Sequence, residues 1–258
     1  MISFDFSGKR VLVTGASRGI GLAVAEGFVA SGAQVTLLAD DAAVTDSARM
    51  LEDKYGVAVA GLQCDISDTA MVNARLGELG LIDILVNNAG FERMTPVEDP
   101  DPEVSATFQR IMDINVVGTF NVTRSVLKQM PDGGSIVNTS SIWGKSAEAG
   151  FAAYCASKHA IIGLTRTLAK ELGARSIRVN AICPGWVRTE ASMRSLGVMA
   201  ERTGSNELEL LDSITGAQAL PGLMNPEDVV SAYLYLASAA AVNITGQALN
   251  VDRGEVMI

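Results

Sequence analysis

The chain has 258 residues, 48% of them apolar and 19% charged, enough to bury one sizeable core, so a single domain spanning 1–258 is expected. Its 29 acidic against 20 basic residues leave a formal charge of −9, which disfavours nucleic acid and anionic membrane surfaces as partners. Cys64, Cys155 and Cys183 are odd in number and form no Cys-x-x-Cys pair, so no disulfide framework or metal site is suggested; with no basic-then-apolar leader and no long apolar run, a reducing, cytoplasmic location is expected.

Arg10–Thr14 reads as a short buried strand, followed by Gly15-Ala16-Ser17-Arg18-Gly19-Ile20-Gly21 and an amphipathic run from Leu22 to Ser31. A strand, a glycine-rich turn and a helix in that order aim backbone N–H groups and a helix N-terminus at one point, which suits a pyrophosphate. Gly15, Ser17, Arg18, Gly19, Ile20 and Gly21 are therefore candidate cofactor contacts. A second strand is expected over 34–39, a helix over 43–55 and a third strand over 57–64. Such alternation predicts an α/β chain with a Rossmann-like, doubly wound parallel sheet of about seven strands and helices on both faces. Asp40 lies about 20 residues past the glycine turn, where a carboxylate accepts from ribose hydroxyls and repels a 2′-phosphate, or simply forms a turn. Asp65 is placed to contact adenine, with Ile66 beside it, or to cap a helix starting near Ser67.

Ile82–Gly90 reads as a fourth strand ending in Asn87, Asn88, Ala89 and Gly90, where the amides bond neighbouring backbone and Gly90 leaves room for the cofactor's second ribose. A long helix is expected from about 103 to 130. Asn115 in its middle either faces solvent or makes a hydrogen bond that bends the helix. After a strand at 135–140 comes Ser141, placed to hold a substrate oxygen. The Ala-rich run beginning at Phe151 has helical spacing, so Tyr154 and Lys158 share one face. An ammonium beside a phenol draws its pKa down from about 10, so that Tyr154 can donate or accept a proton.

A sixth strand over 177–182 stops at Cys183-Pro184-Gly185, and Trp186-Val187-Arg188-Thr189 then lies at a strand's carboxyl end, where open α/β sheets bind ligands. The less regular stretch at about 190–222 reads as a short helical lid. A helix over 226–236 and a last strand over 247–251 close the chain. His159 follows Lys158 on a different helical face and reads as packing or interface. Ser141 has no histidine partner, which removes a serine-hydrolase reading.

Together these residues resemble the short-chain dehydrogenases/reductases, in their short single-domain branch. The resemblance rests on Thr14-Gly-x-x-x-Gly-x-Gly21, Asn87-Asn-Ala-Gly90, Asn115, Ser141 thirteen residues before Tyr154-x-x-x-Lys158, and Pro184-Gly185 with Thr189, in this order over nearly the whole chain. It implies that Tyr154 is the general acid/base, that Ser141 orients the substrate oxygen, and that Lys158 holds the nicotinamide ribose and lowers the tyrosine pKa. By the same resemblance Asn115 holds a proton-relaying water, Thr189 sits by the nicotinamide carboxamide, and helices at 103–130 and 152–173 make the main contact of a homotetramer. The family's NAD-using members often carry the acidic residue at the position of Ala39, whereas Arg18 resembles the basic residue of NADP-using members. With Asp40 and Asp41 both present, NAD is the expected cofactor.

The implied activity is NAD(P)-dependent oxidoreduction of a small to medium secondary alcohol or ketone. A 3-oxoacyl-(acyl-carrier-protein) reductase is the alternative, and a catalytically retired dinucleotide sensor a further one. Phe91, Trp143, Phe151, Trp186 and Met193 suggest an apolar substrate pocket, with Ser141 and Tyr154 at its reacting end. Glu92, Arg93, Glu148 and Arg188 lie close by in sequence, and any of them turned inward selects a polyol or an ionised group instead.

Overall fold

The computed structural model describes residues 4–258. Seven strands, all parallel, form one sheet in the order β3-β2-β1-β4-β5-β6-β7. They are β1 (Arg10–Thr14), β2 (Gln34–Ala39), β3 (Ala60–Gln63), β4 (Ile84–Asn87), β5 (Ser135–Thr139), β6 (Arg178–Pro184) and β7 (Ala248–Val251). Because side chains alternate across a strand, successive residues feed opposite cores. Val11 and Val13 enter the core under α1 (Gly19–Ala30), α2 (Ala43–Tyr55) and α9 (Pro226–Ala237), whereas Leu12 enters the core under α3 (Thr69–Gly77), α5 (Thr119–Val126) and α6 (Ala152–Leu172). Leu37 and Leu38 on β2, and Leu85 and Val86 on β4, divide in the same way. This explains why the inner strands read as nearly continuous apolar runs, whereas the edge strand β3 is largely exposed.

Strand order reverses between β1 and β4, which opens a crevice at their carboxyl ends. A buried polar ladder sets the depth of that crevice. Asn87 donates to Thr123 Oγ1 (3.0 Å) and Asn138 Oδ1 (2.9 Å), and Asn138 donates to Thr165 Oγ1 (2.9 Å), locking β4 and β5 to α5 and α6. Such amides are costly to bury unless paired, so the ladder fixes which residues face each other.

Two element boundaries differ from expectation. The helix expected over 103–130 is α4 (Glu103–Met112), a π-helical segment (Asp113–Gly118) and α5, which ends at Val126. The break has two local causes. Asn115 bonds out of the helix to the Phe91 backbone, and a Cβ on Gly118 would lie 2.6 Å from Ile66 Cγ1, so the chain widens as it passes β3's loop. The third strand covers only 60–63 because Gly61 lies tight under α2, 2.8 Å from Val44 O to its would-be Cβ, while Val57 is exposed. The stretch at 190–222 contains α7 (Glu190–Thr203) and α8 (Glu207–Gly216), started by Thr189 in a capping box with Ser192 and by Asn206.

Candidate active site

The carboxyl ends of β1 and β4 are tied together by Thr14. Its hydroxyl accepts from the backbone N–H groups of Asn88 and Ala89 (both 3.0 Å), and Asn88 Nδ2 donates to the carbonyls of Thr14 and Gly15 (both 3.2 Å). Gly15 (φ +64°) and Gly19 (φ +58°) occupy the left-handed region that glycine tolerates. A Cβ on Gly15 would also sit 2.6 Å from Ala89 Cα, and one on Gly21 would collide with the Gly15 carbonyl oxygen. The turn therefore packs flat against β4, and α1 starts beside it with its N-terminus facing outward. That end has no side-chain cap and no acidic residue in its first turn. Its unpaired N–H groups and positive dipole end are what a pyrophosphate needs.

A cavity of about 590 Å³ runs along this edge. Every residue assigned from sequence to the cofactor borders it except Gly21, which acts behind the turn by closing it onto Gly15. At the adenosine end the ion pair is made by Asp41 rather than Asp40. Asp41 accepts from Arg18 Nη2 (2.9 Å) and Ser17 Oγ (3.1 Å), and Arg18 also lies 3.8 Å from Glu190. The exposed Asp40 carboxylate takes no partner among the described residues and faces the cavity.

The chemical end is built from β5 and α6. Ser141 is extended and caps a short turn over Ile142–Gly144, its hydroxyl accepting from Trp143 N (3.2 Å). Ser140 Oγ donates to the Lys158 carbonyl (2.8 Å), which fixes α6 against the end of β5. Lys158 is 3% exposed; its Nζ donates to the Thr139 carbonyl (2.9 Å) and lies 5.4 Å from the Tyr154 ring centroid. One turn of helix thus puts phenol and ammonium side by side, as the spacing predicts.

Their electrostatics differ from the expectation. Burial pushes the Tyr154 phenol above its ordinary range, the Glu92 carboxylate adds to this, and the Ser141 hydroxyl draws it partly back. Burial also lowers Lys158 to about 8. The neighbouring cation therefore does not prevail over desolvation in the protein alone, and the phenol is held protonated.

Asn115 is 1% exposed and bonds in three directions: Oδ1 accepts from Phe91 N (2.7 Å), and Nδ2 donates to Phe91 O (3.0 Å) and Ser157 Oγ (2.9 Å). Of its two sequence alternatives, the bending hydrogen bond is the one found. A Cβ on Gly90 would lie 3.5 Å from both Asn115 Oδ1 and Lys158 Nζ, so Gly90 keeps a gap beside both. His159 is exposed and bonds through Nδ1 to the Cys155 carbonyl (2.9 Å).

At the substrate end, Trp143 is central: its ring lies 4.9 Å from Phe151, 6.0 Å from Tyr154 and 5.9 Å from Trp186, centroid to centroid. Trp143 and Trp186 border the cavity. Phe151 does not; it is fully buried behind Trp143 as core, because its position at the start of α6 turns it inward. Met193 also lies off the cavity, since α7 presents Ala191, Ser192, Arg194 and Ser195 to it instead. Of the charged neighbours, Glu148 and Arg188 are outside, whereas Glu92 and Arg93 line the cavity. Arg194, Ser195 and Thr139 were not among the sequence candidates, and Asp41 entered only as a second negative charge beside Asp40. None of the first three carried a signal: Arg194 and Ser195 are consecutive polar residues in a mixed helix, and Thr139 acts through its backbone carbonyl.

Residues 15–255 match the family model described as enoyl-(acyl carrier protein) reductase. The chain is 38% identical over 255 residues to a 3alpha-hydroxysteroid dehydrogenase from Mediterraneibacter gnavus, covering 95% of each chain. It is 36% identical over 253 residues to a 3-oxoacyl-(acyl-carrier-protein) reductase from Chlamydia muridarum, covering 95% of this chain and 96% of that one. Among solved structures, L-sorbose reductase from Gluconobacter frateurii, complexed with NADPH and L-sorbose, superposes with a TM-score of 0.89 at 28% identity, covering 100% of both chains. The cradle at α1, the paired Tyr154 and Lys158, and likeness along the full chain converge: it belongs to the short-chain dehydrogenases/reductases and is an NAD(P)-dependent oxidoreductase acting on CH–OH groups.

Proposed function

We propose that the enzyme interconverts a small to medium secondary alcohol and its ketone, with Tyr154 as general acid/base. The observation that carries this reading is the meeting of Ser141, Tyr154 and Lys158 at one end of a cavity whose other end is the uncapped α1 N-terminus. A bound nicotinamide dinucleotide supplies or accepts the hydride. Gly15, Gly19 and Ile20 hold its pyrophosphate, and Asp40 its adenosine ribose. Lys158 spends one N–H on Thr139, which leaves two to hold the nicotinamide ribose. Ser141 and Tyr154 hold the substrate oxygen. In reduction Tyr154 gives its proton to that oxygen as the carbonyl becomes an alcohol; in oxidation it takes the proton back. The raised pKa of the phenol suits it to the acid role. Asn115 positions the Phe91 loop and, through Ser157, the start of α6. Exchange of Tyr154 for Phe, assayed for turnover and for cofactor binding separately, tests the assignment.

NAD is the proposed preference, because Asp41 already occupies Arg18 and Asp40 adds a second carboxylate where a 2′-phosphate would lie. NADP is favoured by Arg18 itself and by relatives such as the L-sorbose reductase complexed with NADPH. The ratio of kcat/KM for the two cofactors decides between them.

A 3-oxoacyl-carrier substrate is the second reading, favoured by the Chlamydia relative. The charge of −9 opposes docking of an acidic carrier, and comparison of carrier-bound with free 3-oxoacyl substrate separates the two. A homotetramer is proposed from Phe108, Val117 and Phe120, which leave the α4–α5 region exposed and apolar; sedimentation of the purified protein tests it. Among the described residues no helix is long and apolar enough to cross a membrane, and Cys64, Cys155 and Cys183 are buried as free thiols.

A further inference from the structure

The wall of the cavity facing Trp143 is charged, and its charges are not neutralised in pairs. Arg93 lies in the loop after β4, its guanidinium carbon 4.7 Å from the Phe91 ring centroid and its Nη1 donating to the Glu92 carbonyl (2.8 Å). That stacking and that bond hold the guanidinium in place and leave four of its five N–H donors free. Arg194 comes from α7 on the other side. Glu92, next to Arg93, and Ser195, next to Arg194, are joined by a hydrogen bond of 2.6 Å, so the two guanidiniums stand on adjoining walls of the cavity. Even so, neither is within 4.0 Å of a carboxylate among the described residues.

Glu92, the one carboxylate here, is turned another way. Its Oε1 accepts from Ser195 Oγ at 2.6 Å, and burial raises its pKa. The remaining cavity carboxylates belong to the cofactor end, where Asp41 and Glu190 attend Arg18. Glu190 and Arg194 lie one helical turn apart on α7, with Glu190 beside Arg18 and Arg194 farther along the cavity wall. In a protein of charge −9, two basic side chains without a carboxylate partner give the substrate end of the cleft a local positive field.

We propose that Arg93 and Arg194 bind an anionic group of the substrate, so that the enzyme acts on oxo and hydroxy acids in preference to neutral ketones and alcohols. Glu92 is close enough to Tyr154 to disfavour its ionisation and close enough to both arginines to feel their charge. Tyr154, Arg93 and Arg194 all line the one cavity, so a short oxo acid is the simplest molecule that offers both a reacting carbonyl and an anion. An anion bridging Arg93 and Arg194 also draws α7 onto the loop after β4, adding to the Glu92–Ser195 bond already there.

This inference rests on the ketone-reducing reading of the same site, and a binding experiment keeps the two separable. Tyr154→Phe lacks the transferable proton and turns over far more slowly, so its complex with reduced cofactor can be titrated with oxo compounds before appreciable conversion. Acetoacetate and levulinate, each against its methyl ester, are the probes, with calorimetry as the readout. The acids should bind at least about tenfold tighter than their esters, the value of one good charge-assisted contact. Adding Arg194→Gln or Arg93→Gln should bring that ratio close to one by weakening the acids, and Arg194→Lys should restore part of it. Acids and esters binding equally, neither acid binding at millimolar concentration, or a ratio that survives both glutamine substitutions would each overturn the proposal. Wild-type turnover of the esters alone would leave the ketone-reducing reading standing and sink this one.

Discussion

Lys158→Met should make the cofactor-free protein more stable while abolishing its activity. The side chains are similar in length and volume, but the cation is buried at 3% exposure, and its pKa falls from 10.5 to about 8 because water is excluded. At about 1.4 kcal/mol per pH unit, that depression corresponds to roughly 3 kcal/mol of destabilisation near neutrality. The sign follows from proton counts. Below pH 8 lysine is protonated whether folded or unfolded and the full penalty is present; between pH 8 and 10.5 the unfolded chain holds more protons, so stability rises with pH until the penalty is gone. Methionine removes the penalty but leaves the Thr139 carbonyl without its donor, a loss of about 1 kcal/mol. The variant should therefore be more stable by about 2 kcal/mol at pH 7, about 4–8 °C in Tm for a chain of this size, and the difference should vanish near pH 10. Urea unfolding of both proteins at matched concentration, at pH 7 and pH 10, measures it. A variant less stable at pH 7, or a difference independent of pH, would refute the reasoning.

Tyr154→Phe should lower turnover by roughly 10²–10⁴-fold while changing the cofactor Kd by less than about twofold, as only the transferable proton is lost; normal turnover would remove Tyr154 from the mechanism. Asp41→Ala frees Arg18 and should raise kcat/KM with NADP relative to NAD by about tenfold, more than Asp40→Ala does; an equal or larger effect at Asp40 would return selectivity to that carboxylate. Trp143→Ala should reorder kcat/KM among substrates of differing bulk with little change in cofactor KM, whereas an unchanged order with a lowered Tm would make Trp143 core.

The parts of the site legible in sequence are those set by local backbone constraints. Gly15, Gly19 and Gly21 must be glycines because of φ or close approach, and Tyr154 and Lys158 share a face because four residues make about one helical turn. What sequence did not show depends on burial or on which of two neighbours turns inward. The phenol beside an ammonium looked acidified, yet burial of both groups reverses that sign. Asp40 and Asp41 are adjacent, and only the path of the chain after β2 gives Arg18 to the second. Phe151 and Met193 are as apolar as Trp143, and nothing in composition tells a residue behind a pocket from one in its wall.

Met193, Arg194 and Ser195, whose placement sequence did not show, lie on α7, and its construction explains why. Few of its side chains are buried, Ser195, Leu196 and Ala200, so it is not held by a broad apolar stripe of the kind periodicity reveals. It is fastened instead by polar contacts at separate points: the Thr189 cap, whose methyl approaches Gly19; Glu190 near Arg18; and Ser195 on Glu92. The first two points lie against the cofactor end of the cavity and the third against the substrate end. A helix docked by a few hydrogen bonds and little apolar area has low local stability, so ligands that add contacts shift its position more than they would shift α6. Cofactor at Arg18 and an anion at Arg194 would therefore both add contacts to the same element, one at each end of its face on the cavity.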